Sequence, residues 1–381
     1  MSITAEQKLD RRVDKRSTPV LGSPNRMRLA VFSANMAGGA NLTTAPQAPK
    51  VTWAETVRIA RAADQAGVEA LIPVSRWRGM APTSRRPAHR SFDTVTWAAG
   101  VAAVTERIQV FGTAHVPTTH PLAAAKQGAT IDHISGGRFG LNVVAGWNDT
   151  ELRMFGPQHR GPGDRYGAAE EWLTALKRIW HAEDEFDADG PGFSGTGILS
   201  EPKPLQAPEP VIMNGGTSPA GRDFAARHAD ITFALLPAPE SAPALVADLK
   251  RHAREAYGRE LLVFGAAHVV CAEHRAEARR LFDRMVFEHG DWDAADSAVR
   301  MLIPNVDGSG ADCRAIAASA IAGFFALPMV GTSDDVVEQM AVLADAGLDG
   351  LALSWLDYEE GLAQYGTRIR PALVEAGLRQ W

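Results

Sequence analysis

Short apolar runs rich in β-branched residues alternate along this chain with segments of helical periodicity, and this alternation limits the possible folds more than any other feature. We predict eight strands, at residues 27–34, 68–74, 107–116, 138–146, 210–216, 229–235, 261–271 and 348–356. Helical patterns lie between them. Because eight strand–helix repeats fit a closed barrel better than an open sheet, we predict an α/β protein with a TIM-type (β/α)8 barrel.

The domain boundaries follow from where this alternation begins and where it is interrupted. We predict a polar N-terminal arm at 1–26 and a single barrel domain at 27–381, which ends in a helix at 359–376. Residues 183–204 are punctuated by Gly and Pro, so we predict an insertion that holds a small hairpin. Residues 289–328 break the pattern and contain the stretch GSGADC, which predicts a second insertion near the C-terminal face, a candidate mobile lid.

Composition excludes several classes of protein. The chain is 45% hydrophobic and 22% charged, as in ordinary globular proteins, and its formal net charge of −6 argues against a general nucleic-acid binder. We expect no membrane association, because no apolar run approaches the roughly 18 residues that a spanning helix needs. The N-terminus lacks the apolar segment of a secretory signal, and the 2 cysteines form no disulfide framework, so we expect a cytoplasmic protein.

Polar residues follow the second, third and fourth predicted strands, at the positions where barrel enzymes carry their chemistry. Ser75, Arg76 and Trp77 follow strand two, where they could hold an anion and stack on a flat ring, or form a solvated basic loop. Asn142 lies inside the otherwise apolar strand four, so its amide either bonds to a neighbouring segment or faces a ligand. His115 ends strand three and either faces the site or fills the core.

The fifth strand leads directly into a helix through the turn NGGTS at 214–218. This turn is a candidate anion cradle, because Gly216 allows close backbone approach and the first helical N–H groups point towards a ligand. The alternative is a plain helix N-cap at Ser218. Arg165 and Tyr166 open another helix and could contact the same anion. The alternative is that they are ordinary exposed residues in the first turn of that helix. We predict no metal site, since no HExxH or other metal-spaced cluster occurs.

Four sequence blocks resemble the bacterial-luciferase-like flavin monooxygenases, especially the branch that holds the pyrimidine, dimethylsulfone and alkanesulfonate monooxygenases. They read RIQVFGTAHVPTTHPLAAAKQGATIDHISGGRFGLNVVAGWNDTEL, DRYGAAEEWLTALKRIW, VIMNGGTSPAGRDFAARHADITF and VGTSDDVVEQMAVLADAGLDGLALSW. Together they cover most of the chain from Met27 onward. The run ATIDHISGGRFGLNVVAGW is far more specific for this family than any glycine motif.

The resemblance implies a barrel with an insertion over the active site, and a two-component monooxygenase that uses reduced FMN (FMNH2) and O2 as co-substrate. A separate flavin reductase, drawing on NAD(P)H, would be the transient partner that delivers FMNH2. A flavin peroxide would then insert one oxygen atom into a small substrate. The FMN contacts implied by the matching motifs are Ser75, Arg76, Asn142, Glu151, Arg165, Tyr166 and Ser218, and the cradle adds Gly216.

Roles can be assigned on this basis. We expect Asn142 and Thr113 to hold the flavin ring and the peroxide oxygen, with His115 as a third catalytic candidate. We place Trp77, His115 and Trp355 beside the substrate, and two large aromatic side chains leave room for a small organosulfur compound or a nitrogen heterocycle. We also expect a homodimer or homotetramer.

The chain departs from the family pattern in three places. Ser75 and Arg76 stand where the pyrimidine enzymes have an apolar residue and a lysine, His115 on strand three is not a family-wide residue, and residues 289–328 match poorly. All three are expected to border the substrate, so the substrate of a relative does not transfer. Two other functions stay open: a deazaflavin- or nicotinamide-dependent oxidoreductase on the same barrel, and a non-catalytic flavin-binding barrel.

Overall fold

The computed structural model describes residues 12–80, 90–156, 164–190, 192–302 and 311–380. Eight parallel strands close into a barrel and helices pack around its outside, which confirms the predicted TIM-type (β/α)8 barrel. In chain order the strands are β1 (Val13–Asp14), β2 (Arg28–Phe32), β3 (Ala70–Ile72), β4 (Gln109–His115), β5 (Phe139–Val144), β6 (Phe186–Asp189), β7 (Ser194–Ile198), β8 (Gln206–Ala207), β9 (Val211–Asn214), β10 (Ile231–Phe233), β11 (Leu262–Cys271), β12 (Leu327–Gly331) and β13 (Gly350–Ser354). The α-helices are α1 (Trp53–Gln65), α2 (Thr94–Ala102), α3 (Pro121–Ser135), α4 (Asp149–Leu152), α5 (Arg165–His181), α6 (Pro219–His228), α7 (Ala242–Tyr257), α8 (Arg275–Asp283), α9 (Trp292–Leu302), α10 (Ala311–Gly323), α11 (Ser333–Asp345), α12 (Tyr358–Gln364) and α13 (Arg370–Glu375).

The barrel closes through parallel pairings only. Its order is β2, β3, β4, β5, β9, β10, β11 and β13, and β13 pairs back to β2. The register sets Thr113 of β4 opposite Asn142 of β5. Because all eight strands run in the same direction, the side chains that follow their C-terminal ends meet at one mouth.

Alternation along the strands divides their side chains between two cores. One set, which includes Ile72, Phe111 and Phe264, fills the barrel interior. The other set, which includes Val110 and Leu351, packs outwards against the helices. This period of two decides which residues near a strand end face the mouth and which face the helices.

The described part of the predicted N-terminal arm lies against the bottom of the barrel. Val20 is fully buried with the interior cluster, and its N–H donates to Gln109 Oε1 at 3.1 Å. Lys15 is ion-paired with Asp230 at 2.9 Å, and β1 pairs with β8. Residues 12–26 therefore close the barrel end that is opposite the mouth.

The two segments predicted as insertions contain their own secondary structure. β6 and β7 form an antiparallel hairpin within 183–204. Within 289–328, helices α9 and α10 pack against each other and against Leu42 and Met80 in a separate hydrophobic cluster. This cluster covers the segments that follow β2 and β3, which places the insertion at the C-terminal face as expected. The glycines of the GSGADC stretch, Gly308 and Gly310, lie outside the described residues.

One predicted boundary was wrong. The predicted insertion at 289–328 overlaps β12, which pairs with β11 on the outside of the ring and tolerates the exposed Pro328, since a proline on an outer strand removes no needed N–H donor. The predicted final helix at 359–376 agrees with the continuous helical segment at 358–375, in which a π-helical turn at Tyr365–Ile369 lies between α12 and α13.

Candidate functional site

The interior faces of two neighbouring strands become polar at the mouth of the barrel. In β4 the inward positions continue from Phe111 to Thr113 and His115, and Asn142 of β5 lies opposite Thr113. Asn142 Nδ2 donates to Thr113 Oγ1 at 3.2 Å, and Thr113 Oγ1 donates to the carbonyl of Pro73 at 3.1 Å. Asn142 Oδ1 is buried and accepts no hydrogen bond from the described residues. The mouth therefore presents a hydrogen-bond acceptor without a donor. This is rare, because most buried polar atoms in proteins have a hydrogen-bond partner.

A buried carboxylate holds the loop that follows β3. Glu151 in α4 is 1% exposed, and its Oε1 accepts the backbone N–H groups of Trp77 at 3.1 Å and Arg78 at 3.2 Å. Asn148 caps the same helix by accepting the N–H of Glu151 at 3.3 Å. Glu151 Oε2 is a second buried acceptor that has no partner among the described residues.

Arg76 lies between this carboxylate and the insertion. Its guanidinium carbon is 4.7 Å from the ring centre of Trp147 and 5.1 Å from that of Phe324. Burial lowers the pKa of Arg76, and the negative charge of Glu151 opposes that shift. The neighbouring Ser75 is partly buried. The aromatic contacts hold the positive charge at the edge of the mouth, where cation–π attraction stabilises it.

His115 is uncharged at neutral pH. It is 6% exposed, and its pKa is lowered to about 4, first by burial and then by the positive charge of Arg76. A neutral imidazole can accept one proton or hydrogen bond and donate another, whereas a cation can only donate. His115 therefore faces the mouth as a potential acceptor beside a fixed cation.

The turn after β9 is tightly packed around one tyrosine. The hydroxyl of Tyr166 occupies the space in which a side chain at Gly216 or Gly221 would begin. Gly216 N–H donates to Asn214 Oδ1 at 2.9 Å, and Ser218 Oγ accepts the N–H of Gly221 at 3.2 Å as the N-cap of α6. Ser218 thus has the geometry of a helix cap, and its hydroxyl hydrogen remains for a further acceptor. Anion binding at this turn remains a prediction.

One ion pair joins α5, whose Tyr166 packs on this turn, to α4, whose Glu151 holds the loop after β3. Arg165, which precedes Tyr166 in α5, is paired with Asp149, which lies on the same short helix as Glu151. Helix α4 therefore connects the loop after β3 with α5, the segments at the two ends of the predicted flavin site. The structure brings these predicted positions together at one end of the barrel: Ser75, Arg76, Thr113, His115, Asn142, Glu151, Arg165, Tyr166, Gly216 and Ser218.

The two tryptophans predicted beside the substrate lie in different places. Trp77 is at the mouth, 46% exposed, with its ring centre 4.9 Å from that of Phe155. Trp355 is buried between the barrel and α12, where it packs against Tyr358 and Gly361. Since Trp355 shares its outward direction with Leu351, its predicted place beside the substrate was wrong.

A buried polar cluster at the mouth was missed by the sequence reasoning. His268 of β11 is fully buried, its Nδ1 is 3.0 Å from Ser354 Oγ, and burial lowers its pKa to about 3. Asn41 Nδ2 lies 3.4 Å from the ring nitrogens of His268 and donates to the carbonyl of Ala322 at 2.6 Å. The cluster ties the segment after β2 to α10. A signal was present, because His268 has the inward phase of Phe264 within β11.

The described ranges contain no group of three or more His, Cys, Asp or Glu side chains arranged to bind a metal ion. No helix within these ranges has the length and apolar character needed to span a membrane.

Comparison with known proteins gives consistent matches. The sequence model of the family described as luciferase-like monooxygenase matches residues 27–350. The chain is 28% identical over 355 residues to an FMNH2-dependent dimethylsulfone monooxygenase of Pseudomonas putida, covering 92% of this chain and 96% of that protein. It is 31% identical over 333 residues to the pyrimidine monooxygenase RutA of Acinetobacter baylyi, covering 83% and 86%.

Solved structures show the same fold. A riboflavin lyase, RcaE, crystallised with modified FMN and riboflavin, superposes with a TM-score of 0.81 at 20% identity, over 93% of this chain and 92% of that chain. DmoA of Hyphomicrobium sulfonivorans superposes with a TM-score of 0.79 at 19% identity, over 93% and 89%. At these identities the structural likeness supports the barrel and its connectivity.

Proposed function

This chain belongs to the luciferase-like monooxygenase family, and we propose that it is the FMNH2-dependent oxygenase of a two-component system. It is a flavin-dependent monooxygenase, and its relatives support reduced FMN and O2 as the reactants. The separate NAD(P)H-dependent reductase, the route through a flavin peroxide and the contacts of individual residues belong to the proposal.

The observation that carries the proposal is the pair of unpartnered buried acceptors, Asn142 Oδ1 and Glu151 Oε2. A flavin ring has an N–H donor in its pyrimidine portion and gains further N–H donors when it is reduced. A buried acceptor without a donor is unfavourable by about 1–3 kcal/mol, so two such atoms at one mouth favour a ligand that supplies N–H groups. Reduced FMN is such a ligand.

The proposed phosphate end lies at the turn before α6. Gly216 and Ser218 lie at this turn, Tyr166 of α5 packs against Gly216, and Arg165 is the residue before Tyr166. Arg165 has five N–H donors, so its pair with Asp149 leaves donors for a phosphate. Charge-assisted hydrogen bonds of this kind contribute on the order of 1.5–3 kcal/mol each, and the helix N-terminus adds to the attraction.

When bound, reduced FMN supplies the two electrons with which O2 gives one oxygen atom to the substrate and the other to water. The residues of this chain position and shield the reactants. Asn142 and Thr113 fix the ring by hydrogen bonds, and neutral His115 offers a nitrogen that can accept a proton. The apolar cluster formed by the insertion excludes water from one side of the mouth.

We propose a small organosulfur compound or a nitrogen heterocycle as the substrate. The support is the resemblance to the dimethylsulfone and pyrimidine enzymes, together with a mouth that is narrowed by Trp147 and Phe324 around Arg76. Trp77 and His115 remain proposed substrate contacts, whereas Trp355 does not.

The function is tested by removing the reductase from the assay. With FMN, NADH and an unrelated flavin reductase, we expect substrate oxidation; without the reductase, we expect none. Photochemically reduced FMN, mixed with the protein and then with O2, should restore one round of product formation. Oxidation of NADH by the purified chain alone would contradict the two-component proposal, and turnover with a reduced deazaflavin but not with FMNH2 would support the competing oxidoreductase.

A further inference from the structure

A small cavity of about 20 Å³ lies beside the mouth, between the segments that follow β2 and β3 and the insertion. One water molecule needs roughly 10–15 Å³ of such space, so the cavity has room for one or two molecules of that size. Protein interiors are close-packed and contain few voids as large as a water molecule. The apolar side chains of the lining include Phe32, Met36, Leu42, Val74, Met80 and Phe324.

The surface of this cavity is unfavourable for water. The polar side chains in the described lining are those of Ser33 and Arg76, but carbon atoms form nearly all of the surface that the lining presents to the cavity. A buried water typically makes about 3 hydrogen bonds, and apolar cavities that offer no such partners stay dry. A small apolar molecule needs no hydrogen bonds, so it suits this cavity better than water does.

The cavity shares part of its wall with the proposed flavin site. Arg76 is a proposed flavin contact that also lines the cavity, and Val74 directly precedes Ser75, another proposed contact. The backbone of Val74 is fixed at this place, because its N–H donates to Asn35 Oδ1 at 2.9 Å and its carbonyl accepts from Asn35 Nδ2 at 2.8 Å. A molecule in the cavity is therefore next to residues that we assign to flavin binding.

Another part of the wall belongs to the apolar cluster of the insertion. Leu42 and Met80 are buried in that cluster, where they pack with residues of α9 and α10. Phe324 lies at the edge of the cluster, with its ring centre 5.1 Å from the guanidinium carbon of Arg76. The cavity thus lies between a dry apolar core and the proposed flavin contacts.

We propose that this cavity binds dioxygen beside the flavin site. O2 is uncharged, has no dipole moment and forms no strong hydrogen bonds, so its transfer from water into an apolar space is favourable. This inference rests on the proposed function, in which O2 is a reactant, and it adds the place where O2 is held before it reacts. Retention of O2 there increases its local concentration and therefore the rate at which reduced FMN is oxidised.

Because O2 is paramagnetic, it serves as its own probe. Protein with isotopically labelled methionine methyl groups is measured by NMR under several atmospheres of O2 and under the same pressure of N2, with and without oxidised FMN. The methyl groups of Met36 and Met80 line the cavity, whereas Met27 and Met340 are fully buried elsewhere. We expect O2 to raise the relaxation rates of Met36 and Met80 several-fold more than those of the other two.

A hydrophilic gadolinium chelate, which cannot enter an apolar cavity of this size, corrects for the small solvent exposure of Met36 and Met80. Equal enhancement by O2 at all four methyl groups after this correction would overturn the inference. This comparison uses the wild-type protein, so it decides the question even if a substitution in the lining impairs folding.

Variants locate the bound O2. Val74→Ile fills part of the cavity and Val74→Ala enlarges it, so the enhancement at Met36 and Met80 should fall several-fold in the first and rise in the second. Ala40→Val fills the cavity from the segment after β2 and should behave like Val74→Ile. Val95→Ile makes the same change on α2, where Val95 packs against the outer core, and should have no effect. Unchanged enhancement in both filling variants would show that O2 is not in this cavity.

The contribution to the reaction is measured by rapid mixing of protein-bound FMNH2 with O2. Without substrate, FMNH2 and O2 give FMN and H2O2, and the absorbance of oxidised flavin follows this reaction. The second-order rate constant should fall several-fold in Val74→Ile and Ala40→Val but not in Val95→Ile, with FMN affinity unchanged in all three. A wild-type rate in filling variants that have lost O2 binding would overturn the role of the cavity.

Failure of the inference and failure of the proposed function give different results. If the protein transfers oxygen to a substrate but Met36 and Met80 show no excess relaxation by O2, the inference is wrong and the monooxygenase proposal stands. If O2 relaxes these methyl groups in the flavin-free protein, but the protein neither binds FMN nor transfers oxygen, the O2 site stands and the proposed function fails.

Discussion

Asn142 donates to Thr113 through Nδ2 at 3.2 Å, while the other polar atom of the same amide, Oδ1, is buried and without a described donor. The orientation of this amide has a physical reason. The hydroxyl hydrogen of Thr113 is used on the carbonyl of Pro73, so Thr113 Oγ1 can only accept from Asn142. The amide nitrogen must therefore face Thr113, and the oxygen is left for a ligand.

Replacement of Asn142 by alanine should weaken FMN binding. The lost hydrogen bond corresponds to about 1–3 kcal/mol, or roughly 5- to 150-fold in the dissociation constant. Flavin fluorescence titration measures the affinity, and thermal unfolding checks the fold. Unchanged FMN affinity together with a large loss of thermal stability would assign Asn142 a structural role only.

Replacement of Glu151 should destabilise the loop after β3 and weaken flavin binding, whereas replacement of Asn148 should destabilise only helix α4. Glu151→Ala removes the acceptor of two backbone N–H groups, so we expect a loss of about 1–3 kcal/mol in unfolding free energy and weaker FMN binding. Asn148→Ala removes only the cap of α4, at about 1 kcal/mol. Denaturant unfolding and flavin titration of both variants provide the comparison. If Asn148→Ala impaired FMN binding as much as Glu151→Ala, the carboxylate would have no separate role.

Two adjacent glycines offer a matched test of the phosphate site. An alanine side chain at Gly216 would displace the hydroxyl of Tyr166, whereas at Gly215 it would meet only Phe233 at an ordinary 3.8 Å. Overpacking of this kind typically costs about 1–3 kcal/mol. Gly216→Ala should therefore weaken FMN binding but affect riboflavin little, because riboflavin lacks the phosphate. Gly215→Ala should bind both like the wild type. Equal loss of FMN and riboflavin binding in Gly216→Ala would place the phosphate elsewhere.

The lowered pKa of His115 predicts a pH dependence of the unfolding free energy. Burial and Arg76 lower the pKa of His115 from 6.5 to about 4, so between these values the unfolded chain binds more protons than the native state. His115 thus makes the unfolding free energy fall as the pH decreases through this window, and has no such effect above it. His115→Gln should flatten this part of the profile, measured by denaturant unfolding at each pH. An unchanged slope would show that His115 is not held neutral by the fold.

The sequence predicted the barrel because strand periodicity and helix signals repeat locally, and it predicted most of the mouth because strand ends converge in any parallel barrel. The same period of two could have excluded Trp355, which shares the outward phase of Leu351, and identified His268. Contacts between distant segments could not be predicted in this way. The contact between Arg76 and Phe324 joins residues that are far apart in sequence, and only the packed insertion brings them together.

The central claim is that this chain transfers one oxygen atom from O2 to an organic substrate with reduced FMN. The most direct measurement is mass spectrometry of the product formed under isotopically labelled O2, with FMN, NADH and a flavin reductase, across small sulfones, sulfonates, carboxylic acids, pyrimidines and aliphatic aldehydes. We predict that one labelled oxygen atom enters each product molecule and that omission of FMN abolishes this incorporation. Products that carry oxygen only from water, or substrate turnover that does not require O2, would contradict the claim.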